Sequence, residues 1–413
     1  MDSFIIFHEN DFPPKPQNTS STMFARIPAL GHLSYFSSTI CISVVAYLAY
    51  RSLRYLTSEF PPLGSGLKRL PGPISTLPYV GRVHDVDRMR AWNAMKKFSD
   101  EYDGLFACTL GGETHIWIAR EDLAQDLLVN NSKISSARAD LGSYPDVTQD
   151  FKYLPLLGFT DTFHRQRKFA HSVMTRCATN KYYGHINSET KRLMHDLVTT
   201  PSAWWHAMHL HCARVSSKLA YGCVDQAQDH VTNADKFLGQ IGPSGPVANL
   251  LPFLAHFPEW LVPGKRGVRK RQETEAKLWK NSFDKAKYDA NSDRRLNTYT
   301  SASIAAKTSG EEKGTLFEKQ EEAQCAVGML CTVGVFTIAG PATLFVMAMI
   351  LNPDWQKKVR NQIDEVVQDQ MLDISHSPRL PILRAAIKEC LRWKSTVPLG
   401  KQTQHPFENI QKI

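Results

Sequence analysis

Leu380-Pro381-Ile382-Leu383-Arg384-Ala385-Ala386-Ile387-Lys388-Glu389-Cys390-Leu391-Arg392-Trp393 is the stretch on which the reading of this chain turns. Glu389 and Arg392 stand three apart, so on a helix they share a face and can hold a fixed ion pair. The run ends in Val397-Pro398-Leu399-Gly400, and only 21 residues follow Arg392.

Working outward, 413 residues are enough for a large buried core and, by length alone, for two or three domains. Hydrophobic residues at 42% and charged residues at 22% match ordinary globular usage and exclude a disordered chain. The net charge of +9 suits an anionic membrane surface or an acidic partner, with nucleic acid as the competing class. Eight cysteines are scattered without a Cys-x-x-Cys pair, which points away from a zinc ribbon or a disulfide framework. They read as reduced, mostly buried thiols of a cytosol-facing protein.

Leu33 to Tyr50 is an uncharged run of 18 residues, just long enough for a membrane-spanning helix. Arg51, Arg54, Lys68 and Arg69 follow it, against Lys15 and Arg26 before it, which places the bulk of the protein on the cytosolic side. The 32-residue polar leader favours an uncleaved anchor over a cleaved signal peptide. Residues 1–32 would then be a lumenal tail, with a glycosylation sequon at Asn18-Thr19-Ser20. Residues 51–81 carry Phe60-Pro61-Pro62, Leu70-Pro71-Gly72-Pro73 and Leu77-Pro78-Tyr79-Val80-Gly81 and read as a stiff, non-helical hinge. Residues 82–413 form the main domain. Leu105–Leu110 and Thr114–Ala119 read as a β-hairpin, a helix with Leu123, Leu127 and Leu128 on one face follows, and from about Ser188 the patterns are mainly helical.

Between Glu322 and Asp354 there is no charged residue. Such a helix, apolar on all sides, belongs either in lipid or in the middle of a large domain. Its glycines, Pro341 and the amphipathic Trp355–Gln368 helix after it favour the second. It contains Ala339-Gly340-Pro341-Ala342-Thr343, where the missing proline donor predicts a kink or bulge beside a hydroxyl. A basic run, Phe163-His164-Arg165-Gln166-Arg167-Lys168, lies between the hairpin and the helical core.

Together these motifs resemble the haem-thiolate monooxygenases of the cytochrome P450 family, over about residues 60 to 405. The chain is most similar to fungal microsomal members related to the O-methylsterigmatocystin oxidoreductases. The resemblance implies a mainly α fold with a small β-sheet, preceded by a transmembrane helix. It implies haem, a small lipophilic substrate, and electrons from NADPH through a partner reductase. Ala339 and Gly340 match the small pair of the oxygen-binding groove, and Thr343 matches the hydroxyl that helps deliver protons there. Arg167 matches the arginine that binds a haem propionate, a task suited to a planar, permanently charged fork. Glu389 and Arg392 match the pair that braces the haem loop.

Three positions depart from the pattern. Ala342 stands where an acidic residue is usual, which removes a proton source; Phe163 stands for Trp, and His164 for the first Arg. No segment resembles the family's Cys loop, and Cys390 lies inside the helix motif. The expectation is a domain truncated before its haem ligand and inactive as it stands.

Two other constellations stand out. His206, His209, His211 and Cys212 are metal-type ligands without a closing set, so no metal site is expected. Lys265-Arg266-Gly267-Val268-Arg269-Lys270-Arg271 reads as a solvated or membrane-facing basic face, not a nucleic-acid patch. The reading is a single-pass protein of the endoplasmic reticulum membrane, its bulk facing the cytosol. The alternatives are a polytopic, non-enzymatic membrane protein that uses the charge-free run as a second span, and a haemless scaffold.

Overall fold

The computed structural model describes residues 40–49, 70–77, 80–179, 183–292, 298–306, 316–395, 397 and 399. The predicted lumenal tail 1–32 with its sequon, hinge residues 51–69, Pro398 and Gly400 lie outside the described residues. The chain forms two units, Met1–Glu59 and Phe60–Ile413. In the first, an apolar helix α1 spans Ile40–Ala49 within the predicted anchor, with every described side chain exposed.

The second unit is helix-rich. It runs α2 (Ala91–Glu101), β1 (Leu105–Leu110), β2 (Glu113–Ile118), α3 (Glu121–Ala124), α4 (Ser132–Ser135), α5 (Asp161–Thr179), α6 (Tyr183–Thr199) and α7 (Trp204–Tyr221). Then follow α8 (Ala227–Ile241), α9 (Lys265–Ser292), α10 (Tyr299–Ala305), α11 (Gln320–Leu351), α12 (Pro353–Val367) and α13 (Pro381–Trp393). The mainly helical part thus begins at α5, earlier than the apolar periodicity indicates, because α5 is rich in Arg, His and Lys and its apolar pattern is weak.

The hairpin pairs Leu105 with Ile118 and Leu110 with Glu113, so the turn is the two residues Gly111-Gly112. Both glycines have positive φ, 63° and 89°, as a tight hairpin turn of this hand requires. A side chain on Gly111 would also meet the Leu250 carbonyl at 2.0 Å, so β1 ends hard against the connection between α8 and α9. The inner face of the hairpin packs Phe106 and Cys108 on Met95 and Phe98 of α2.

The main core is built around α11. Its first half is buried on every side: Ala326, Val327, Met329, Leu330, Cys331 and Thr332 are all buried, three of them completely. Those residues pack against α5, α7, α8, α9 and α10 in two apolar clusters. At Gly328 an added side chain would stand 2.4 Å from the Trp279 ring, so glycine here lets α9 lie directly on α11. This is the core-helix alternative for the charge-free run. Past its middle the helix emerges, and Ile338, Ile350 and Leu351 are exposed. By length and composition α11 is also the one described helix apolar enough to cross a membrane. The predicted amphipathic helix appears as α12, with Val359 and Val367 buried and its charges outward.

Candidate functional site

Ala339-Gly340-Pro341-Ala342-Thr343 lies just past the middle of α11, where the helix leaves the tightest part of the core. Pro341 donates no hydrogen bond, so the Thr337 carbonyl four residues earlier loses its helical partner. The helix nevertheless continues through Pro341 to Leu351, where the sequence suggested a local kink or bulge. Two hydroxyls support the backbone on either side: Thr337 Oγ1 donates to the Val333 carbonyl at 2.7 Å and Thr343 Oγ1 to the Ala339 carbonyl at 2.9 Å. Ala339 is fully buried and Thr343 nearly so. The Thr343 proton is therefore held on the helix's own backbone, and its oxygen keeps lone pairs with which to accept.

The basic motif forms the first turns of α5, and its three central residues take different roles. Arg165 turns toward α11, paired with Glu318 at 2.9 Å and with the buried Glu322 at 3.4 Å. Gln166 is inaccessible and its Nε2 donates to the Phe151 carbonyl at 2.7 Å. Arg167 lies on the outward side, exposed, its guanidinium 5.7 Å from the centre of the Phe163 ring. Phe163, in the place of the expected tryptophan, thus supplies a cation–π face rather than an N–H donor.

Arg138, which no motif singled out, lies in the field of Arg167. Burial and then that like charge pull its guanidinium below the ordinary range. Two neighbouring guanidinium groups suit a ligand edge carrying two carboxylates. Arg138 could have been noticed only as a lone Arg between alanines, which is no signal by itself.

The structure does not gather these parts into one cluster. The contacts of α5 with α11 are made near Phe317 and Glu322, and Thr343 lies about 32 Å further along the axis at 1.5 Å per residue. No polar contact among the described residues joins Arg167 to Ala339, Gly340 or Thr343. Glu389 and Arg392 do pair as expected, in a two-pronged contact at 2.7 and 2.5 Å. Both are exposed at the end of α13, and no further described residue bonds to them.

A haem thiolate needs a cysteine whose surroundings favour the charged sulfur. All eight cysteines are described, and burial pushes Cys108 and Cys212 up to about 11 and Cys325 and Cys331 up to about 12. Cys331 lies against Ser217 of α7 and Cys177 against the Tyr299 hydroxyl, both as packing residues. By their chemistry the two arginines suit the carboxylate edge of a haem, but they do not stand beside the α11 segment, and burial holds Cys108, Cys212, Cys325 and Cys331 as neutral thiols.

The predicted basic face of 265–271 needs one correction. Arg271 is not solvated: its side chain is 4% exposed and meets Glu275, 2% exposed, at 2.8 Å. Tyr153 donates to Glu275 at 2.6 Å and accepts from Arg271 at 2.9 Å. Arg271 also donates to the Tyr144 hydroxyl and to Gln240, and Asn233 donates to Glu275 and, at 3.4 Å, to Thr332. A charge run in sequence hides such a residue because it carries no information about which helix face is covered. Along α7, His209 Nδ1 lies 2.9 Å from the Trp205 carbonyl and Cys212 is buried, and among the described residues no three His, Cys, Asp or Glu side chains converge.

The architecture, a long buried helix crossed by a helical shell with one hairpin at the side, is shared with known proteins. It superposes on a zebrafish cytochrome P450 solved with abiraterone, with a TM-score of 0.55 over 73% of this chain and 68% of that one, at 16% identity. The cytochrome P450 family model matches residues 71–408, and the chain belongs to that family. Among fungal relatives, it is 26% identical to the cytochrome P450 monooxygenase virE of Hypocrea virens over 80% of this chain, and 25% identical to cytochrome P450 monooxygenase 105 of Postia placenta over the same share. It is 25% identical to the cytochrome P450 monooxygenase peniB of Penicillium patulum over 94%. The chain spans 60% and 64% of the length of the first two relatives and 70% of the third.

Proposed function

We propose that this chain is the distal and lateral part of a haem monooxygenase domain of fungal secondary metabolism, acting on a small lipophilic substrate and dependent on a reductase that draws electrons from NADPH. The observation that carries the reading is the family match over residues 71–408. When bound, the haem supplies the activation of dioxygen for insertion of one oxygen atom. Arg167 and Arg138 would hold its propionates, Arg167 from the first turns of α5 and Arg138 from the segment after α4. Ala339 and Gly340, the small pair of the motif, would border the bound oxygen. The Thr343 hydroxyl holds a proton on the Ala339 carbonyl and releases it to a hydrogen-bond acceptor placed beside it. Ala342 offers no carboxylate to resupply that proton, so bulk water has to do so. The apolar α1 and the basic residues after the anchor support a single-pass placement in the endoplasmic reticulum membrane, with residues 51–81 as hinge and 82–413 as the cytosolic domain.

Burial holds Cys108, Cys212, Cys325 and Cys331 as neutral thiols, so none of these four is expected to bind iron as a thiolate. A haem titration followed by a carbon monoxide difference spectrum of the reduced protein tests both halves. Haem uptake that weakens in Arg167→Ala, with no thiolate-type Soret band, is the expected result. A thiolate Soret band would overturn the ligand reading, and no uptake at all would favour the haemless scaffold.

A further inference from the structure

The last turns of α11 and one face of α12 border an open groove of about 430 Å³. Phe345, Val346 and Met349 line it from α11 and Ile363 from α12, so its walls are apolar. Ile350 stands at the same groove with 67% of its surface exposed. Arg360 and Asp364 also line it, four residues apart and therefore on one face of α12. An apolar hollow with an apolar side chain standing beside it marks a contact surface.

The two charges say what it contacts. Lys96 with Asp100 on α2, and Lys280 with Asp284 on α9, have the same spacing and order of charge, and each pair closes within its own helix. Arg360 and Asp364 do not close: both are exposed, and neither side chain has a partner among the described residues. Asp364 lies in the last turn of α12, where a carboxylate opposes the helix dipole, so helix stability does not account for it. A face with one unmatched cation, one unmatched anion, an apolar groove and an outward isoleucine is complementary to itself. About a two-fold axis residue i meets residue j of the partner and j meets i, so a single rotation matches both charges at once. A neutral apolar ligand, or a partner patch of one sign, leaves at least one of them unmatched in the contact.

We propose that this face joins two copies of the chain, Arg360 of each pairing with the partner's Asp364 and Ile350 of each entering the partner's groove. The contact needs no haem. Sedimentation velocity of the full chain in excess dodecyl maltoside, over a range of protein concentrations, tests it. The native chain should show a monomer–dimer equilibrium. Arg360→Asp makes both charged positions acidic and Asp364→Arg makes both basic, so each variant alone should dimerise at least about 100-fold more weakly. Mixed in equal parts, the two variants regain both opposite-charge pairs and should dimerise like the native chain, which also shows that each is folded. Ile350→Gln should weaken the native dimer with its charges left in place. A native chain that stays monomeric, a single charge variant that dimerises as well as the native chain, or a mixture of the two that stays monomeric overturns the proposal.

Discussion

Arg271–Glu275 and Glu389–Arg392 are the same chemistry in two places. Each is an arginine and a glutamate on one helix, four apart in the first case and three apart in the second. The first pair is almost wholly buried, and the second has side chains 72% and 59% exposed. Burial changes what a pair must have around it, because two charges taken from water need nearly every remaining lone pair and proton matched. Tyr153, Tyr144, Asn233 and Gln240 do this for the inner pair and so tie α8, α9 and the 144–153 segment together. At the outer pair, water does the work and no second element is engaged.

The strongest way to break the comparison is Arg271→Met, which strands the Glu275 carboxylate in the core. It should lower unfolding free energy by about 3 to 5 kcal/mol, read from the urea midpoint. Arg271→Met with Glu275→Leu should recover more than half of that loss. A double variant as unstable as the single one would mean that packing, not stranded charge, sets the cost.

A buried polar group without partners should behave oppositely to the inner pair, and His230 is one. It is fully buried, stacked on Tyr221 at 5.5 Å, and neither ring nitrogen has a hydrogen-bond partner among the described residues. Burial lowers it to about 4. Because the folded value is depressed below the usual 6.5, the neutral ring's stability is fully present above that pH, declines as pH falls, and is lost by about pH 4. The span corresponds to about 3 kcal/mol. Chemical denaturation across pH 7 to 4 should show this slope in the native chain and a flatter one in His230→Phe.

Gly328→Ala sharpens the picture from the packing side. The new methyl meets the Trp279 ring, whose N–H donates to Thr332 at 3.3 Å, at the edge of the inner network. A loss of about 1 to 3 kcal/mol is expected from thermal unfolding. Glu389→Ala should be the smallest effect, with no resolvable change in Tm for the chain studied alone. A clear destabilisation would show that the outer pair already braces something.

Much of the fold was legible in order along the chain. The hairpin is visible from alternation about Gly111-Gly112, though β2 starts one residue earlier than expected because the turn takes two residues, not three. The charge-free run foretold a core helix, and α12 and α13 stand where their amphipathic patterns put them. The site was legible only as parts. Thr343 and Arg167 stand out by motif, but Arg138 carries no local pattern, and Arg165, adjacent in the same basic run, turns to Glu322 instead of outward.

By itself the sequence determined the family, the element order and the helix pairing of Glu389 with Arg392, since local spacing is enough to set each of these. Tertiary structure alone decided which charges are solvated and which are locked inside. A run such as 265–271 presents its residues all round a helix, so only the neighbours that cover one face can turn Arg271 into a core residue and leave Arg266 and Lys270 facing outward.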